Sequence, residues 1–268
     1  MTVKKRILIV CLLLLSLCSI LFLYHFRVET DSRIQQPAEG TVFSHDLFDQ
    51  VLREHVDEKG RVDYTKLKAK PGKFEAYLDL LAVANPEALS YNAQLVFWVN
   101  AYNALVIKGV IDHYPITSVR KVKLFNGFFS RLKFHVSGKI YSPDQIEHDI
   151  VRTEFVDPRV HFVLVCASRS CPPLWTRAYS ADTIEERLET ATLNFLRNPE
   201  HVRIDRAKRH VHVSKIFKWY KDDFKEGYDG IADFLADYLP PEDAEFLEST
   251  DVEFRYLDYD WTLNDQKQ

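Results

Sequence analysis

The first feature in the pattern of apolar and polar positions is Ile7–Phe26, ILIVCLLLLSLCSILFLYHF, a block that is almost wholly apolar. A run of about 20 such residues, rising ~1.5 Å each, covers a hydrocarbon core of ~30 Å. Polar residues with Pro37 and Gly40 follow, and from Phe43 the periodicities are those of a folded domain. Phe43, Leu47, Val51 and Val56 recur at near-helical spacing, which predicts a helix over 43–56. Glu58 to Tyr64 reads as a turn and a short extended piece. Two more helices are predicted, over 73–83 and over the long apolar stretch Pro86–His113, which Pro115 ends. Lys133–Ser142 alternates around Ser137-Gly138 and reads as a hairpin. Ser142-Pro143-Asp144-Gln145 is a helix start, because serine caps, proline suits the first helical position and Gln145 completes a capping box. Arg159–Cys166, RVHFVLVC, is rich in β-branched residues and predicts a buried strand.

Further along, 182–196 is amphipathic and helical, and 201–205 with 210–213 form a second hairpin. Ser214 caps a helix through Trp219. A helix over 231–239 stops at Pro240-Pro241, and Val252, Phe254 and Tyr256 alternate in a last strand. The expected fold is α+β: helices packed around a small, mainly antiparallel sheet, preceded by one transmembrane helix.

The flanks of the first block set its orientation. Lys4-Lys5-Arg6 precede it, and Glu29 and Asp31 follow Arg27. The positive-inside bias then places the N-terminus in the cytoplasm. No small-x-small cleavage site lies between Tyr24 and Arg33, which favours an uncleaved anchor over a signal peptide. The organisation expected is a cytoplasmic tail (1–6), a membrane anchor (7–26), a linker (27–42) and an exported globular domain (43–268). That makes a single-pass inner-membrane protein with its domain in the periplasm.

Composition supports this division. Of 268 residues 46% are hydrophobic and 28% charged, which suits a folded chain and excludes a mostly disordered one. The net charge is −4, but residues 1–26 carry three basic side chains and no acid, so the rest stands at −7. An acidic domain without a basic patch argues against a nucleic-acid partner. The membrane, through the N-terminal helix, and a small-molecule or peptide substrate are the partners expected. No cofactor motif is present, and none is expected.

The four cysteines fall into two groups. Cys11 and Cys18 lie in the anchor as apolar filler. Cys166 and Cys171 flank Ala-Ser-Arg-Ser at the end of the predicted strand, where a chain leaving a sheet often builds a site. Pro172-Pro173 offer a helix start that would put Cys171 at an N-cap. Three readings stand: a disulfide between Cys166 and Cys171, as export to an oxidising compartment allows, a reactive thiol ionised by a nearby group, or two inert thiols. His148, beside Glu147 on the capped helix, is free to approach the loop. His161 lies in the predicted strand, where alternation would point it away from Cys166. A zinc site from His148, His161, Cys166 and Cys171 matches no standard ligand spacing. Asn100 and Asn103, three apart in an apolar helix, need buried partners: they either tie the helix to a loop or face a site as orienter or oxyanion donor.

At these residues the chain resembles the domain-of-unknown-function 547 family. The matching pieces are FWVNAYNALVIKGV (97–110), IEHDIVR (146–152), DPRVHFVLVCASRSCPPL (157–174), SKIFKWYKDDF (214–224) and the closing YLDYDWTLN (256–264). In that family the cysteine matching Cys166 recurs as C-[GA]-[ST]-x-S, while the one matching Cys171 is often serine in plant members. The histidine matching His148 belongs to the same pattern. The resemblance therefore implies a thiol at Cys166 rather than an obligatory bridge. It also implies a histidine-before-cysteine order like that of circularly permuted papain-like proteins. Plant members are scaffold-like and carry a coiled coil, for which this chain has no heptad segment. The expected function is a membrane-anchored, exported cysteine-dependent hydrolase or acyltransferase acting on an amide or peptide. Cys166 would be the nucleophile, His148 the base, and Glu147 and Asn100 orienting groups, with Asn103, His161, Ser168, Ser170 and Cys171 lining the site. The rival is a non-catalytic envelope binder or scaffold with the Cys166–Cys171 bridge.

Overall fold

Tyr91–His113 is a helix whose positions from Leu95 to Ile111 are buried almost without a break. It is long and apolar enough to cross a membrane, yet 89% of its most apolar window is buried inside the protein, so it is a core helix. This is the axis of a computed structural model that describes residues 42–123, 127–249 and 252–268. The expected anchor at 7–26 lies outside the described residues. The described part falls within one compact unit, 37–268, and its class is α+β.

Most of the predicted elements form, with ends moved by a few residues. Helices run over Asp46–His55, Gly72–Val83, Ile184–Leu196 and Ile231–Tyr238. The first hairpin is β1 (Phe134–Val136) and β2 (Lys139–Tyr141), paired antiparallel. Ser137 and Gly138 both take positive φ, 53° and 69°, as a tight primed turn requires. The turn also donates its N–H groups to Leu81 O and Ala82 O, at 2.8 and 2.7 Å, satisfying carbonyls at the end of the Gly72–Val83 helix. The capping box at Ser142 and Gln145 is present. The helix it opens passes at once into a π-helical stretch, Ile146–Val151, and ends as Arg152–Glu154. Single π-helical turns of this kind often occur at functional sites.

Several expectations are corrected. The one small, mainly antiparallel sheet expected is two small sheets, and the second mixes antiparallel with parallel pairing. β3 (Val202–Asp205) and β4 (His210–Val213) form the predicted hairpin, but β5 (Glu253–Tyr256) joins β4 in parallel, giving the order β3-β4-β5. Tyr64–Ala69 and Pro241–Leu247 are helices that the sequence pattern did not predict; the second uses its proline at a first-turn position. No helix follows Pro172-Pro173, so Cys171 is not at an N-cap.

The largest correction concerns 159–166. Pro158–Phe162 is a 3-10 helix, and the chain then runs irregularly to Cys166. The residues are buried as a strand's would be, but their backbone partner is a side chain. Asn103 Nδ2 donates to Val163 O at 2.9 Å, and Val165 N–H donates to Asn103 Oδ1 at 2.9 Å. One amide thus supplies the acceptor and donor that a neighbouring strand would have provided. Asn100 does the same for Tyr179, giving Nδ2 to its carbonyl and accepting its N–H, both at 3.0 Å. Both amides have 2% exposure or less.

Gly60 fixes the far side of the cysteine loop. Its φ is +72°, and a Cβ there would lie 2.4 Å from Leu174 N and 2.6 Å from Pro173 Cα. Only glycine permits this backbone approach. A second apolar cluster, with Phe162, Phe195, Phe217, Phe224 and Phe234, packs under the β3-β4-β5 sheet.

Replacing Asn103 by leucine keeps the branched shape but strands a buried carbonyl and a buried N–H. We expect a loss of about 2–5 kcal/mol in stability, given ~1–3 kcal/mol for each unsatisfied group. Urea unfolding of the full chain checks this, and a change below ~1 kcal/mol would show that the two peptide groups find other partners.

Candidate active site

The cysteine loop is built by two tethers. On one side Asn103 holds the backbone just before Cys166. On the other, residues 168–170 pair with the closing segment: Arg169 N–H donates to Thr262 O at 2.9 Å and Ser170 N–H to Asp260 O at 3.2 Å. Ser170 Oγ also accepts from Asp260 N–H at 2.8 Å. Between the tethers Ala167, 2% exposed, takes a φ of 57°. A non-glycine residue in the left-handed region costs on the order of 1 kcal/mol or more and persists where its surroundings over-determine it. The bend turns the half-buried Cys166 toward a cavity of about 460 Å³.

Both thiols are free, so the bridge of the rival reading is not formed in this structure. Cys166 N–H donates to Cys171 Sγ at 2.9 Å. Cys166 Sγ lies 3.0 Å from Ser168 Oγ and 3.3 Å from Tyr259 Oη, both able to donate to a thiolate. Burial opposes ionisation of Cys166, but hydrogen bonds from Cys171, Ser168 and Tyr259 outweigh it and hold the thiol below its ordinary pKa. Cys171 is pushed well up by burial and by serving Cys166. The pair therefore ionises at Cys166 first.

The two histidines of the sequence reading both line the cavity, contrary to the strand alternation that would have turned His161 away. Their surroundings differ. His148 Nδ1 contacts the Arg152 guanidinium. Arginine can only donate, so this nitrogen's lone pair is occupied. His148 Nε2 lies 3.6 Å from Asp144. His161 Nε2 instead contacts Asp223 Oδ2 at 2.7 Å, while its Nδ1 has no partner among the described residues. Arg152 grips the same carboxylate twice, Nε to Oδ2 and a terminal nitrogen to Oδ1, each at 2.6 Å. Burial alone would raise the Asp223 pKa, but the bonds from Arg152 and His161 prevail and hold it well below the usual carboxylate range.

Glu147 does not orient His148, because successive helical residues face different directions. Its oxygens accept from Tyr102 Oη at 2.9 Å and Tyr220 Oη at 2.5 Å. The Tyr220 ring then stacks on His161, centroids 3.9 Å apart, with the Arg152 guanidinium over the same ring at 5.0 Å. Glu147 thus positions a tyrosine that positions a histidine. Asn100 and Asn103 are spent on backbone groups and are not among the lining residues. Ser168 contacts the thiol, whereas Ser170 secures the closing segment. Among the described residues no group of three His, Cys, Asp or Glu side chains converges as metal ligands.

Asp223, Tyr220, Arg152, Tyr259 and Arg120 did not emerge as site residues from the sequence pattern. Yet the first four lie inside the segments IEHDIVR, SKIFKWYKDDF and YLDYDWTLN. Their place inside those segments was the available signal.

Fold and site together define an α+β protein with a cysteine loop facing a histidine–aspartate pair across one cavity. Residues 86–196 match a family described as "Protein of unknown function, DUF547", and the chain carries a domain of this family. The match takes in the cysteine loop, His148 and His161, but stops short of Tyr220, Asp223 and Tyr259. No curated protein and no solved structure matches the chain.

The lowered Cys166 pKa gives a pH prediction. The thiolate dominates above the folded pKa, so alkylation of Cys166 by iodoacetamide will rise with pH and reach half its plateau below the ~8.5 of an ordinary thiol. Tyr259→Phe removes one donor and moves that midpoint upward. A midpoint at or above ~8.5 in the unaltered chain would contradict the reading.

Proposed function

We propose that the protein is a membrane-anchored, exported cysteine hydrolase or acyltransferase acting on an amide or peptide-like substrate. The anchor rests on the apolar span 7–26 with its basic leading flank. The observation that carries the chemistry is the His161–Asp223 pair lining the same cavity as a low-pKa Cys166. The base in this proposal is His161 rather than His148. A neutral imidazole that gives its Nε2–H to Asp223 presents Nδ1 as a proton acceptor, whereas the corresponding lone pair of His148 is held by Arg152.

The steps follow from these roles. His161 Nδ1 takes the thiol proton, and Cys166 Sγ attacks the carbonyl carbon, forming an S–C bond as the carbonyl π pair moves to oxygen. When that pair returns, the C–N bond breaks, and the imidazolium gives its proton to the departing amine. A thioester remains on Cys166. Water or an acceptor amine, deprotonated by His161, adds to it, and collapse releases the acyl product and the thiolate. Asp223 steadies the imidazolium, and Arg152 keeps Asp223 ionised and in place. Histidine precedes cysteine here, but the aspartate follows both, an order that no circular permutation of the papain sequence cysteine, histidine, asparagine gives, so the papain-like arrangement is not carried into the proposal.

The test is acylation by an activated ester followed by intact mass analysis. The unaltered chain should carry one acyl group on Cys166 and turn over. Cys166→Ala should abolish it. His161→Gln and Asp223→Asn should each cost roughly 10²–10⁴-fold in the rate of acylation, as loss of a base or its orienting carboxylate does. His148→Gln should cost less than tenfold. Equal losses at His148 and His161 would overturn the assignment of the base. A Cys166–Cys171 bridge in protein recovered from the envelope would favour the binding reading instead.

A further inference from the structure

The cavity is lined by a cation that the thiol chemistry does not use and that forms no ion pair among the described residues. Arg120 lines it, and its guanidinium has no carboxylate partner among the described residues. It lies 5.5 Å from the ring centroid of Trp261, whose ring is 4.8 Å from Tyr259, whose hydroxyl is 3.3 Å from Cys166 Sγ. Trp219 completes the wall, 4.8 Å from Tyr259 and 5.7 Å from Trp261, and is 44% exposed. A continuous aromatic surface thus connects the nucleophile to this guanidinium. The carboxylates of the lining are placed elsewhere: Glu147 accepts two tyrosine hydroxyls and Asp144 faces His148.

Resting on the thiol reading above, we propose that the substrate is an acyl compound bearing a free carboxylate, a peptide with its C-terminal residue or an N-acyl amino acid. Arg120 binds the carboxylate, and Trp261 with Tyr259 carries the apolar stem toward Cys166. Guanidinium matches carboxylate in a two-pronged geometry, and aromatic faces accept apolar and planar groups. The volume, about 460 Å³, lies within the ~300–1,000 Å³ usual for small-molecule sites. Residues 27–268 together stand at −7, so their overall field repels anions, and a preference for one must be local.

Two probes of equal reach separate this inference from the one beneath it: chloroacetyl-phenylalanine, with its carboxylate, and chloroacetyl-phenylalaninamide, without it. The full chain is labelled with each, and the rate at Cys166 is read by peptide mass spectrometry. The acid should react at least about tenfold faster than the amide, the difference a charge-assisted pair supplies. Arg120→Ala should reduce the ratio to one or less, while Arg120→Lys should keep part of the preference. An acid-to-amide ratio near one in the unaltered chain, or a ratio that survives Arg120→Ala, overturns the carboxylate reading. Failure of both probes and of iodoacetamide to label Cys166 would instead overturn the nucleophile.

Discussion

The structure depends on one bivalent contact, the side chain of Asn103 against the backbone of Val163 and Val165. An apolar run such as FVLV carries its peptide groups into the core, where each needs a partner. Here no strand lies alongside. The amide of a residue on the central helix stands in for one, and so the run can be irregular and still buried. That irregularity lets the chain bend at Ala167 and turn Cys166 outward to the cavity. The central helix therefore fixes the reactive loop directly, with no sheet edge between them.

Around that loop the polar groups form two separate systems. One surrounds sulfur: Ser168, Tyr259 and Cys171 supply protons that favour charge on Cys166. The other surrounds imidazole: Asp223, Arg152, Tyr220 and, behind it, Glu147. Each half-buried charge in the second system is compensated, Asp223 by Arg152 and His161, Glu147 by two hydroxyls. Taking any one away leaves a neighbour unpaired in a poorly solvated place, which is why such networks act as units. The π-helical turn contributes here by setting Glu147, His148 and Arg152 around one rim.

Much of the fold was legible because helical periodicity and capping are local. The Ser142–Gln145 box, the Ser137-Gly138 turn and the hairpin 201–213 all read directly from neighbours in the chain. What failed was what distance decides. RVHFVLVC has a strand's composition, and only a side chain 60 residues away makes it something else. β5 lies parallel to β4 because a long helical connection brings it round, and alternation alone carries no direction. The site divided in the same way. Cys166, His148 and His161 could be picked out by chemical type, and all three face the cavity. Their roles could not, since these turn on which nitrogen meets Arg152 and which meets Asp223. Asn100 and Asn103 read equally as catalytic or structural until their carbonyl and N–H partners were known.

The pairing of residues 168–170 with 260–262 has a consequence in time rather than in space. It joins residues 90 positions apart, and the hydroxyl of Tyr259 arrives with it. Such non-local contacts carry a loop-closure cost that local ones do not and tend to form late. Until residues 257–264 are in place, Cys166 lacks one of its proton donors and the loop lacks one of its two tethers. The support that lowers the pKa of the thiol is accordingly incomplete while the chain is still folding, and it is complete only when the closing segment docks.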